Sequence, residues 1–144
     1  MSLETKITFN SNGINWAPKS GEETGDFLGQ SGMPEEAKNK LLEDAISILS
    51  RGVPPQVENG FETGLVVGYV QSGKTMSFET VAALARDNGF HIVIVIAGTS
   101  NPLLAQSSNR LKKDLGLNDV NRGRRWVQLE NPTDLPPRLD TTLS

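Results

Sequence analysis

The chain has no cysteine, a single histidine, His91, and a single tyrosine, Tyr69. Without cysteine there is no disulfide framework, no thiolate metal site and no cysteine nucleophile. One histidine cannot build a histidine metal cage, and no serine–histidine–acid triad can be argued around it. His91 opens an apolar run and reads as structural or solvent-facing. No apolar stretch approaches the ~18–20 residues of a membrane-spanning helix. The opening MSLETKITFN lacks the apolar region of a signal peptide. A soluble, cytoplasmic protein with no membrane partner is therefore expected. The 144 residues amount to about one domain. A chain this long can bury about 68–70% of its unfolded surface, so a core is possible without covalent staples.

The net charge is −3, but it is unevenly spread. Residues 1–60 carry five basic and nine acidic side chains, whereas residues 86–125 carry seven basic and three acidic ones. A basic segment on an acidic chain can meet a phosphate backbone. The ordinary alternative is that these charges solvate a helix face and a loop.

Local patterns divide the chain. Lys6-Ile7-Thr8-Phe9 alternates as a short strand does. Residues 17–32 show no period and read as loop. Pro34, with Glu35 and Glu36 behind it, suits a helix start. Ala37, Leu41, Leu42, Ala45, Ile46 and Leu49 then recur at helical spacing up to Gly52. Pro54-Pro55 opens a linker. The apolar run at 64–67 predicts a buried strand, and 74–88 predicts a helix ended by Gly89. Residues 90–97 are apolar and largely β-branched, the signature of a strand buried on both faces of a parallel sheet. Asn101-Pro102 starts another helix, ended by Gly116. Trp126-Val127-Gln128-Leu129 predicts one more strand. Strand and helix in alternation predict an α/β fold with a parallel sheet.

One motif carries chemistry. Gly68-Tyr69-Val70-Gln71-Ser72-Gly73-Lys74-Thr75 fits G-x-x-x-x-G-K-[ST], the Walker A P-loop pattern, at every fixed position. Glycines let the backbone wrap phosphate oxygens with its N–H groups, and the following helix points its positive end at the same anion. Lys74 can reach the β- and γ-phosphates, and the Thr75 hydroxyl can ligate Mg²⁺. At this composition an accidental match has roughly a 1% chance, and the expected strand before and helix after the motif lower that further. The ligand so expected is ATP with Mg²⁺. The ordinary alternative is a glycine turn with a solvated lysine.

The surroundings of the motif narrow the choice. Residues 63–75 read TGLVVGYVQSGKT, and residues 91–106 read HIVIVIAGTSNPLLAQ. Together they resemble the first ATPase lobe of superfamily 2 helicases. More narrowly, they are similar to the Z-one domain family of prokaryotic endonucleases, whose ATPase is helicase-like. The likeness spans about residues 35–118. It implies a three-layer, RecA-like P-loop sheet, here incomplete, with an N-terminal helical and loop extension. Residues 1–30 and 120–144 match nothing in it, and with the local patterns the chain divides into an extension over 1–33, a helix and linker over 34–60, an ATPase core segment over 61–130 and a loose proline-rich tail over 131–144. The likeness implies that residues 68–75 bind ATP–Mg²⁺, with Lys74 catalytic. It places Gly98, Thr99 and Ser100 at a loop that in such helicases contacts the nucleic-acid backbone, with Gln106 and Arg110 on the helix behind. Hydroxyls at 99 and 100 also suit plain helix entry. The implied partners are DNA and the rest of a larger polypeptide.

The chain also departs from that pattern. The Asp-Glu pair that handles Mg²⁺ and water after an apolar strand is not visible, nor is an arginine finger. Glu130 and Asp134 have the wrong neighbours. On its own the segment is expected to bind nucleotide weakly and hydrolyse it poorly. A nucleoside or small-molecule kinase, and a non-hydrolysing nucleotide-binding module, remain alternatives. Trp126, behind Arg122, Arg124 and Arg125, is either a packing residue or a surface for stacking bases.

Overall fold

A computed structural model describes residues 16–67, 74–96, 101–117, 126 and 128, with the backbone alone at 74 and 101–104. It contains four helices: α1 (Glu22–Gln30), α2 (Glu35–Leu49), α3 (Lys74–Asp87) and α4 (Asn101–Asp114). Three of them follow the sequence pattern closely. α2 begins after Pro34, with Glu35 and Glu36 in its first turn, where carboxylates face the positive end of the helix dipole. α3 and α4 end as their glycines predict. Gly89 adopts φ 92° and Gly116 φ 62°, left-handed values that a Cβ disfavours. After α3, Phe90 N–H bonds Ala85 C=O at 3.0 Å and Gly89 N–H bonds Arg86 C=O at 3.1 Å. After α4, the Leu117 N–H to Lys112 C=O bond is 2.9 Å and that from Gly116 to Lys113 is 3.2 Å. Paired bonds of this kind satisfy carbonyls that a helix end leaves open.

α1 departs from the expected loop. Its sequence EETGDFLGQ carries two glycines and no helical apolar period, so local signals are weak. What fixes it is tertiary. Phe27 and Leu28 are buried with Ala83 of α3 and with Leu115, and Leu41, Leu42, Met76, Leu111 and Leu117 pack around them. α3 is the hub, packed against both α1 and α2. Leu84 is fully buried, and Ala82, Ala83 and Ala85 nearly so. The small alanine face lets the neighbouring helices approach. At the other end of the chain fold, Trp16 donates its indole N–H to Gly52 C=O at 2.9 Å and its ring lies 6.2 Å from Phe90.

The expected parallel sheet, and with it the three-layer α/β P-loop fold, is overturned. Among the described residues there is no strand and no ladder. Residues 64–67 and 91–96 lie outside any helix or strand and are exposed. The β-branched pattern records a preference for pleated surfaces, but a sheet also needs neighbours to complete its ladder. None of the described residues supplies one. The strand expected at 126–129 is described only at Trp126 and Gln128; the strand expected at 6–9 lies outside the described residues.

The exposed run has a consequence for behaviour in solution. Ile94 is 80% exposed and Ile96 94%, in five successive apolar residues without charge or proline. Such segments associate through unpaired backbone and apolar faces. Sedimentation is expected to show mass rising with protein concentration. Ile94→Lys with Ile96→Lys is expected to hold the protein monomeric at the same concentration. Unchanged association in the double variant would show that another surface is responsible.

Candidate functional site

The Walker A octad ends inside α3. Lys74 and Thr75 are the first two residues of that helix, and Thr75 is half-buried. The first turn contains no acidic residue, so nothing there opposes an anion at the positive end of the helix. Gly68, Tyr69, Val70, Gln71, Ser72 and Gly73 lie outside the described residues, as do Gly98, Thr99 and Ser100.

The far end of α3 is anchored by side chains that local pattern does not reveal. The Asp87 carboxylate crosses to the start of α1. It accepts the N–H groups of Gly21 at 2.8 Å, Glu23 at 3.0 Å and Thr24 at 2.9 Å, and the Thr24 hydroxyl at 2.6 Å. The Gly21 N-cap offers no side chain to α1, so Asp87 caps the helix from another element. Burial pushes the Asp87 carboxyl up, but the bonds from Thr24, Glu23 and Gly21 outweigh it and hold the group below 3.8. Asn88 extends the seam. Its amide N–H₂ donates to Lys19 C=O at 2.9 Å and Leu84 C=O at 2.7 Å, and its oxygen accepts Lys19 N–H at 2.9 Å.

A second cluster covers the seam. The Glu23 carboxylate, 7% exposed, pairs with Arg86 Nε at 3.4 Å and accepts the Trp126 indole N–H at 3.1 Å. The Arg86 guanidinium carbon lies 4.8 Å from the centre of the Trp126 ring. Trp126 is thus engaged in the protein's own packing, and half-buried. Gln128 donates to Ser108 Oγ at 2.9 Å.

Two turns before Arg86 on α3, Glu79 is fully buried, and neither carboxylate oxygen has a hydrogen-bond partner. Burial first, and the charge of Asp114 second, push its carboxyl up from 4.5 to about 7, against the pull of Arg110. Arg110 is exposed, and its Nε pairs with Asp114 at 3.3 Å. Nothing in the residue type of Glu79 signals its burial, although spacing marks it. It stands three residues after Met76 and four before Ala83, which places it on the core-facing side of the helix. His91 is exposed, as is Gln106. No helix among the described residues is long and apolar enough to cross a membrane. No protein-family model, curated protein or solved structure matches this chain.

Proposed function

We propose that the chain binds ATP with Mg²⁺ through residues 68–75 and serves a helicase-like, nucleic-acid-dependent ATPase of a restriction or defence type. The observation that carries this reading is the complete Walker A octad running directly into the acid-free first turn of α3. Such a sequence would join phosphate-binding backbone, a lysine and a helix N-terminus in one place. Lys74 would hold the β- and γ-phosphates, and Thr75 the metal ion. When bound, Mg²⁺ neutralises charge on the phosphates. The buried body of α3 and its anchor at Asp87 give the lysine and threonine a fixed base. The similarity of residues 63–75 and 91–106 to superfamily 2 helicases and to the Z-one domain family supports DNA as the partner and Gly98, Thr99, Ser100 and Arg110 as its contacts.

The coupling is tested by ATP turnover of the full natural polypeptide with and without single- and double-stranded DNA. Turnover that rises on adding DNA is the expected result. Turnover indifferent to every nucleic acid would remove the helicase reading and leave nucleotide binding alone.

A further inference from the structure

Glu79 has no place in the nucleotide reading, yet its position is unusual. A carboxylate buried without a partner is expensive in its charged form. It lies between Met76 and Ala83 in helical register, and both belong to or pack on the apolar cluster that also takes in Leu111 and Leu115 from the α4 end of the chain. The charged groups acting on it are Asp114 and Arg110, both on α4. From α1, Glu23 is committed to Arg86 and Trp126. From α2, Lys38 pairs with Glu35 of the same helix at 3.5 Å. A metal ion fits poorly. No group of three or more His, Cys, Asp or Glu side chains among the described residues could hold one, and the Arg110 guanidinium already occupies one side of Asp114.

A proton fits well. We infer that Glu79 and Asp114 share one proton, taken from solvent, and that this proton seats the last turn of α4 on α3. Protonated, Glu79 is neutral and donates a hydrogen bond to the Asp114 carboxylate, which keeps its pairing with Arg110. Deprotonated, two carboxylates face each other across an apolar contact, and α4 loosens. The sign follows from a carboxyl whose folded value, about 7, exceeds its unfolded value of 4.5. The folded state then holds the proton more tightly, so stability declines as pH rises through that window and levels off above it. This inference is independent of nucleotide binding.

The test is thermal unfolding of the whole chain between pH 5 and pH 8.5. The wild-type midpoint is expected to fall by on the order of 5 °C across the window. Glu79→Gln keeps the shape, cannot ionise, and is expected to flatten the profile and exceed wild type at pH 8. Parallel profiles for the two proteins would overturn the inference. A carbon-13 titration of the wild-type Glu79 carboxyl needs no variant. A midpoint near 7 supports the shared proton, and an ordinary midpoint near 4.5 overturns it, whatever the folding of Glu79→Gln.

Discussion

Replacing Asp87 with alanine is expected to lower stability by about 3 kcal/mol and to release α1 from α3. Four hydrogen bonds converge on that carboxylate. Three come from backbone N–H groups at the start of α1, where a helix leaves its amides without internal partners. Thr24 is fully buried, so its N–H and hydroxyl have little access to water once the acceptor is gone. Bonds to a charged group are individually worth about 1.5–3 kcal/mol, and alanine at a capping position costs about 1 kcal/mol. Part of the total is regained as the freed end of α1 hydrates, which brings the figure down to about 3 kcal/mol. Asp87→Asn retains one acceptor oxygen and is expected to lose roughly half as much. Gly21→Ala reaches the same contact from the other side, because its Cβ would stand 2.7 Å from Asp87 Cγ. Urea unfolding followed by circular dichroism gives these differences directly. Acid should reproduce them. A carboxyl held below 3.8 in the folded state contributes stability that is present above that pH and is lost as pH falls beneath it. Asp87→Ala should therefore show a shallower acid transition than wild type. An Asp87→Ala protein as stable as wild type would mean that Phe27, Leu28 and the Glu23 cluster hold α1 without the Asp87 cap.

The second large effect is expected at Lys74. A lysine on a phosphate contributes about 2–3 kcal/mol, so Lys74→Ala should weaken ATP binding roughly 30- to 150-fold. Its position at the first residue of α3 makes the change mild for folding, since alanine is a good helix former. Thr75→Ala should act differently. It removes the hydroxyl proposed for Mg²⁺, so affinity should become nearly insensitive to added Mg²⁺ while weak metal-free binding persists. A uniform loss in both variants, with or without metal, would point to damage to α3 rather than to two separate contacts.

How much of this was legible in the sequence depends on the range of the forces involved. α2, α3 and α4 were readable because their apolar spacing and their end signals, Pro34, Gly89 and Gly116, act within a few residues. The Walker A octad was readable for the same reason, being a contiguous pattern. α1 was not. Its cap comes from Asp87, more than sixty positions away, and its apolar contribution is two adjacent residues, Phe27 and Leu28. Residues 17–32 therefore looked like loop. The opposite error arose at 64–67 and 90–97. There a strong local preference for strand predicts a sheet, although ladder partners are a tertiary requirement that a β-branched run cannot reveal about itself. Glu79 lies between these cases. Its burial follows from the spacing of Met76 and Ala83, but the facing of Asp114 and Arg110 depends on how α4 lies against α3. The sequence around Trp126 suits both packing and base stacking, and Glu23 and Arg86, far from it in sequence, contact it in the folded chain.

The central claim is that residues 68–75 form a phosphate site on this chain. The most direct measurement is calorimetric titration of the wild-type protein and Lys74→Ala with ATP, each with and without Mg²⁺, after circular dichroism has shown equal helix content. Saturable wild-type binding at one site, strengthened by Mg²⁺ and reduced at least 30-fold in Lys74→Ala, is the predicted result. Equal affinity of the two folded proteins for ATP, or no binding by either at millimolar nucleotide, would contradict it.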